Sequence, residues 1–174
     1  MNSGASRVLE RAMEMRREFD RAFADPLRFD ETLKENYLAI RAGGQVCAIR
    51  LSEISGLFAD RKITPVPGGH NALRGIAGFR GVILPVYDLP AALGFSSAPS
   101  PRWLVIAKAA PVALAFETFD GQLRVPANAV LPQAARPEMS GYARDFLRTE
   151  NFSGPIIHLP SVLGAIKVLK TEAA

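Results

Sequence analysis

What most limits the fold of this chain is the shortness of its apolar runs. From Tyr37 onward they come as Tyr37–Ala42, Gln45–Leu51, Val82–Tyr87, Trp103–Ala107, Pro111–Phe116 and Pro155–His158. Runs this short, bounded by Gly, Pro and small polar residues, read as strands rather than helices. Gly43-Gly44 between the first two is a hairpin signal. Many short strands with Gly/Pro turns predict a mainly β fold of small barrels or a sandwich. Helix beyond the N-terminal region is expected only briefly, at Pro90–Leu93 and Pro160–Leu163. A membrane-spanning helix needs roughly 20 consecutive apolar residues, far more than any run here.

An internal echo refines this. Leu89-Pro90-Ala91-Ala92-Leu93-Gly94 is matched by Leu159-Pro160-Ser161-Val162-Leu163-Gly164. Both follow an apolar strand that begins after a glycine, Gly81-Val82-Ile83-Leu84-Pro85-Val86 and Gly154-Pro155-Ile156-Ile157. Val46-Cys47-Ala48-Ile49 and Val112-Ala113-Leu114-Ala115 form a second echo in the same order. Two echoes either side of Ser96-Ser97-Ala98-Pro99-Ser100-Pro101, a small, polar, proline-broken linker, predict duplication of a β unit. The expected organisation is a helical extension over 1–34, a β domain over 35–166 with subdomains at about 35–95 and 100–166, and a tail over 167–174.

The extension reads as a helix over 6–24. Val8, Ala12, Met15, Phe19 and Phe23 recur at helical spacing, Ser6 is placed to cap the start, and Pro26 stops the pattern. Its other face mixes acidic and basic side chains, which suits water rather than a membrane surface. An isolated helix of this length is marginal, so the stripe of Val8, Ala12, Phe19 and Phe23 is expected to dock on the barrels or on a partner.

Composition excludes several function classes. Of 174 residues, 48% are hydrophobic, enough for a real core and too many for disorder. The formal charge of +4 is scattered, with no basic arm for nucleic acid. The single cysteine, Cys47, cannot form an internal disulfide or a cysteine-based zinc site. It lies in an apolar strand, where a small core residue is expected rather than a nucleophile. With no secretory h-region, a reducing cytoplasm is the expected home. His70 and His158 are the only histidines, too few to spell out a zinc constellation. Gly75-Ile76-Ala77-Gly78-Phe79-Arg80-Gly81 lacks the Lys-Ser/Thr ending of a phosphate loop. No catalytic set, cofactor site or metal site is expected.

The central segment carries a resemblance. Gly44-Gln45-Val46-Cys47-Ala48-Ile49-Arg50-Leu51-Ser52-Glu53-Ile54 is followed by Ile63-Thr64-Pro65-Val66-Pro67. Then comes Leu73-Arg74-Gly75-Ile76-Ala77-Gly78-Phe79-Arg80-Gly81-Val82-Ile83-Leu84-Pro85-Val86-Tyr87-Asp88-Leu89. This resembles the CheW family of chemotaxis adaptors, with its strand ending near Val-x-Glu-Ile, its Ile-Thr-x-Val-Pro loop, its Asn-Leu-Arg-Gly turn and its Pro-Val-x-Asp-Leu strand. The resemblance implies two intertwined five-stranded SH3-like barrels, here with an added N-terminal α-helix, and no enzymatic activity. It implies a scaffold at membrane receptor arrays that couples the cytoplasmic tip of a methyl-accepting chemoreceptor to the regulatory domain of a CheA-type histidine kinase, with itself or other CheW-like proteins as further partners. By resemblance, Leu51, Glu53, Ile54, Gly75, Arg80 and Gly81 form the partner surface.

Read as residues, the same positions keep a second meaning. Glu53 suits a solvated strand-end charge, and Arg80 a loop brace. Arg74 is expected in solvent, Gly75, Gly78 and Gly81 in tight turns where the backbone needs positive φ or close approach, and Pro85 at an unpaired or irregular edge position. The family Asn-Leu is Gly78-Phe79 here, its second-half Val-Asp is Phe116-Glu117, and its Leu-Asp-Leu is Ile157-His158-Leu159. These departures keep open a specialised adaptor of a non-classical pathway. A detached kinase regulatory piece and a small-barrel nucleic-acid binder are the remaining alternatives. The scaffold reading predicts no stoichiometric heat on calorimetric titration with ATP or zinc; saturable binding of either overturns it.

Overall fold

The computed structural model describes residues 34–67, 72–97, 100–132 and 141–172, the last with side chains to Lys167. The expected helix over 6–24, with Val8, Ala12, Phe19 and Phe23, lies outside the described residues, as does His70.

The strands are β1 (Lys34–Ala42), β2 (Gln45–Arg50), β3 (Ile54–Ala59), β4 (Leu73–Phe79), β5 (Val82–Asp88), β6 (Trp103–Ala107), β7 (Ala113–Phe116), β8 (Thr118–Pro126), β9 (Val130–Pro132), β10 (Ala143–Arg148) and β11 (Ser153–Ile157). Helix α1 (Leu89–Ala92) follows β5, and helix α2 (Leu159–Glu172) follows β11. One sheet has six strands in the order β8-β1-β2-β11-β10-β9, the other five in the order β3-β6-β7-β5-β4. The first is thus one strand larger than expected, because short β9 adds to its edge.

Apart from β9 the two orders are congruent, and each sheet holds one parallel pair, β11 with β2 and β5 with β7. The sequence echoes fall on the equivalent elements: β2 and β7 carry one, α1 and α2 the other. The duplication is therefore real in space. The repeats are nevertheless not the sheets. The six-stranded sheet takes its strands from residues 34–50 and 118–157, the five-stranded sheet from 54–116. After each hairpin, β1-β2 and β6-β7, the chain crosses to the other sheet, where β3 pairs with β6 and β8 with β1. The division at about 35–95 and 100–166 follows the repeats and cuts through both sheets. Ser96–Pro101 accordingly joins strands of one sheet and does not separate two units.

The period-2 pattern explains the layers. In β1, Leu38, Ile40 and Ala42 face a core shared between the sheets and α2, while Tyr37 and Ala39 face the interior of their own sheet. In β7, Leu114 and Phe116 take the shared side, Ala113 and Ala115 the inner one. Both strands lie inside their sheets, which is why they read as unbroken apolar runs. Helix α2 buries Leu159, Val162, Leu163 and Ile166 in the shared core, one helical face. It outruns the expected Pro160–Leu163 and takes in residues 167–172 of the expected tail, because Gly164 sits on its exposed side and does not stop it.

Each sheet also rolls on itself. Phe58 on β3 meets Phe79 on β4 with ring centroids 5.1 Å apart, and Thr64 exchanges backbone hydrogen bonds with Ile76. Those bonds use the outward backbone groups of Ile76, so its pairing with Pro85 on β5 is of the non-hydrogen-bonded kind. Pro85 then aims its donor-less nitrogen toward β7, whose pairing begins only at Val86. The proline nitrogen is thus unpaired as expected, although β5 lies inside its sheet and not at the expected edge.

Gly75 and Gly78 lie within β4 and not in turns, which corrects that part of the expectation, while Gly75 does have the positive φ and close approach expected of it. Gly75 sits at a register shift with φ +140°, and a Cβ there would stand 2.1 Å from the Thr64 carbonyl oxygen. Gly78 has open space where a Cβ would be. Gly75→Ala is therefore expected to cost at least about 1–3 kcal/mol from the backbone alone. Gly78→Ala should be neutral or stabilising by up to about 1 kcal/mol. Urea unfolding midpoints of the two variants check the contrast; equal shifts contradict it.

Candidate protein-interaction site

The six expected site residues fall into three places. Leu51 and Glu53 occupy the 3-10 turn Leu51–Glu53, where the chain leaves one sheet for the other, and Ile54 opens β3. Leu51 and Ile54 are half-buried against the shared core. Glu53 is not the solvated charge expected of it: its side chain is 15% exposed. One carboxylate oxygen, Oε2, accepts the backbone N–H of Leu159 at 2.8 Å. The other lies 4.0 Å from Arg50. Its carbonyl accepts from Lys108 N–H at 2.9 Å. Glu53 thereby caps α2 and places its negative charge at the positive end of that helix.

Gly75 is buried against Thr64 and Pro65 and offers no surface of its own. Arg80 and Gly81 form the two-residue tip of the β4-β5 hairpin, both exposed, with φ of 47° and 85°. Two successive positive φ values make the tip a type I′ turn, which matches the twist of the flanking strands. The Arg80 guanidinium lies 5.9 Å from the centre of the Phe58 ring. Phe58 stands near the far end of β3 from Glu53, roughly 16 Å along the extended chain. The structure thus separates the crossover residues from the hairpin tip, and of the six only Arg80 and Gly81 are exposed.

Sequence reasoning missed the neighbours of that tip. Val82 and Ile83 are 57% and 69% exposed despite opening an apolar strand. The signal was present in Gly78, which sits across from Ile83 and leaves it uncovered. Arg61, whose guanidinium lies 5.3 Å from the same Phe58 ring, carried no signal in the sequence.

A CheW-like domain profile matches residues 36–166, most of the chain. The chain belongs to the CheW-like domain family. The scaffolding protein TtCheW from Thermoanaerobacter tengcongensis shares its fold, with a TM-score of 0.64 at 16% identity, over 72% of this chain and 90% of that one. A search of curated proteins gives no match. The family is one of chemotaxis signal-transduction scaffolds.

Within this CheW-like domain the second-half departures have physical counterparts. In the first repeat Asp88 caps α1 by accepting the Ala91 N–H at 3.0 Å, and pairs with Arg74. The matching position in the second repeat is His158, whose Nδ1 meets Ser161 Oγ at 2.8 Å. The carboxylate absent there comes from Glu53. Arg74, expected in solvent, instead neutralises an Asp88 that is only 1% exposed. Removing it would leave a buried charge, a loss of about 3–5 kcal/mol.

Glu117, the other departure, lies where the chain crosses from β7 to β8 and accepts the Gly43 N–H at 2.8 Å. Near it Cys47 is fully buried, as expected of a core residue. A cleft of about 540 Å³, lined by Lys34, Glu35, Asn36, Arg50, Leu51 and Ser52, opens beside the first crossover. Within it Arg50 lies 3.6 Å from Glu35 and, at its edge, 2.7 Å from Asp145 of β10. Among the described residues no group of three or more His, Cys, Asp or Glu could hold a metal, and no helix is long and apolar enough to cross a membrane.

Burial, with the nearby Glu117 charge, pushes the Cys47 thiol from 9.0 up to about 12. Burial, then the hydrogen bond to Glu35, pushes the Tyr37 hydroxyl from 10.0 to about 12. Both acids are held protonated in the folded chain, so above the unfolded values the folded state binds more protons. These two groups add no pH dependence below about pH 9, and their contribution to stability is expected to fall as pH rises from about 9 to 12. Cys47→Ala should remove the part that begins near pH 9 and leave the part that begins near pH 10. Urea midpoints across this range check it; a flat profile contradicts it.

Proposed function

We propose that this CheW-like domain is a non-enzymatic, cytoplasmic adaptor that couples the tip of a chemoreceptor to the regulatory domain of a CheA-type histidine kinase. The observation that carries the reading is the β4-β5 hairpin. It presents the family arginine, Arg80, in solvent on a rigid two-residue turn, braced by the Phe58-Phe79 contact. A left-handed φ costs a non-glycine residue roughly 1–2 kcal/mol, and type I′ turns ordinarily use Asn or Gly. Arginine at this tip is locally unfavourable, as expected of a residue kept for what its side chain binds.

In this reading Glu53, Leu51, Ile54 and Gly75 serve the partner surface indirectly. They fix the crossover and the β4 bulge from which the hairpin projects. Helix capping by Glu53 and the close approach at Gly75 support that role.

Purified receptor tip and kinase regulatory domain, titrated separately and together against the chain, test the proposal. Arg80→Gly is expected to keep or raise the thermal midpoint while weakening coupling about tenfold or more. Arg74→Ala should lower the midpoint while leaving the affinity of its folded fraction unchanged. If the wild-type chain binds neither protein, the adaptor reading is wrong.

A further inference from the structure

The Phe58 ring gathers two guanidinium groups, Arg61 at 5.3 Å and Arg80 at 5.9 Å from its centre. Both residues are exposed. Among the described residues Arg41, Arg50, Arg74 and Arg102 each meet a carboxylate; Arg61 and Arg80, like Arg124, Arg144 and Arg148, have none within ion-pair distance, and of these only Arg61 and Arg80 share a ring. Two like charges converging on one ring repel, and attraction to the ring face offsets that only in part. Phe58 is itself fixed edge-to-face by Phe79, so the ring is a rigid platform. Arg80 reaches it from a left-handed turn position.

Val82, 57% exposed, is the cross-strand partner of Phe79. Cross-strand partners project to the same side of a sheet, so Val82 stands on the side of Phe79, which packs on the ring that the two arginines share. The tip therefore presents Arg80 and Val82 in solvent, with the guanidiniums of Arg80 and Arg61 both held near the Phe58 ring.

We infer that Arg61 and Arg80 together receive a single carboxylate, an Asp or Glu side chain on a protein partner, with Val82 covering the apolar residue beside it. Charge complementarity selects that occupant: two planar forks can each donate paired hydrogen bonds to a carboxylate. This deepens the adaptor reading and rests on it. Its new content is that Arg61, outside the family motif, completes the site.

The test is a double-mutant cycle on the full chain with Arg61→Ala, Arg80→Ala and the pair, read as affinity for the receptor tip and the kinase regulatory domain. Arg61→Ala is expected to weaken binding to one of the two about tenfold. Arg61→Lys should fall between it and wild type, because it keeps the charge and loses the fork. With one arginine already gone, removing the second should cost less than it does alone. Thermal midpoints should not fall, which separates binding from structural loss. Wild-type binding with unchanged affinity in Arg61→Ala overturns this inference and leaves the adaptor reading standing; absence of wild-type binding removes both. A change confined to self-association, measured by sedimentation, would make a second copy the occupant and overturn the inference.

Discussion

The hydrogen bond from Leu159 N–H to the Glu53 carboxylate ties together the parts on which the rest of the structure depends. Glu53 sits where the chain leaves the six-stranded sheet for the five-stranded one. At that single residue the crossover backbone is bonded to Lys108, the side chain caps α2, and Arg50 stands alongside. Helix α2 in turn supplies Leu159, Val162, Leu163 and Ile166 to the core between the sheets. Burying each of these contributes roughly 1.5–3 kcal/mol, which depends on the helix starting where Glu53 fixes it. The second crossover has its own glutamate, Glu117, bonded to the Gly43 N–H. A β unit duplicated and then interchanged must hold its two crossing points, and both are held by carboxylates.

This scaffold positions the interaction surface. Gly75 lets β4 press against Thr64 and Pro65, Phe79 locks Phe58, and the tight Arg80-Gly81 turn carries the hairpin into solvent. Coupling two large partners needs a surface that does not yield when one is engaged, and a short hairpin on a rolled sheet meets that need. Local cost is visible at the tip, in a left-handed arginine and two exposed aliphatic side chains, while the buried Asp88 is neutralised by Arg74. The distribution suits a chain whose chemistry is recognition.

Much of the fold was legible in the sequence, for reasons the structure makes plain. Inner strands such as β5 and β7 are apolar enough to read as strands, and the echoes mark equivalent elements because equivalent strands and helices meet equivalent neighbours. Edge strands were missed. β8 alternates exposed and half-buried positions over Thr118–Arg124 and carries Asp120, Gln122 and Arg124 outward, so it reads as loop. β4 was hidden by Gly75 and Gly78. Interchange of strands between the sheets left no trace in the apolar pattern, because a strand's sequence records its burial and not which sheet buries it; only the family resemblance implied intertwined barrels. At the site, the motif placed Arg80 correctly at an exposed turn. Glu53 was misjudged as solvated because its partner, the Leu159 backbone, is distant in sequence and has no side-chain signature. Arg61 was invisible because cation-ring geometry is set by the roll of the sheet.

Interchange of the two repeats is the claim from which the crossover ties, the shared core and the braced hairpin all follow. Splitting the chain within the Ser96–Pro101 connection tests it most directly, with the two pieces purified apart and then mixed while cooperative unfolding is followed by circular dichroism. Each piece holds strands of both sheets and completes neither, so the account predicts no cooperative transition from either alone and its recovery on mixing. A cooperative transition from either piece by itself would contradict the interchange and restore two independent units.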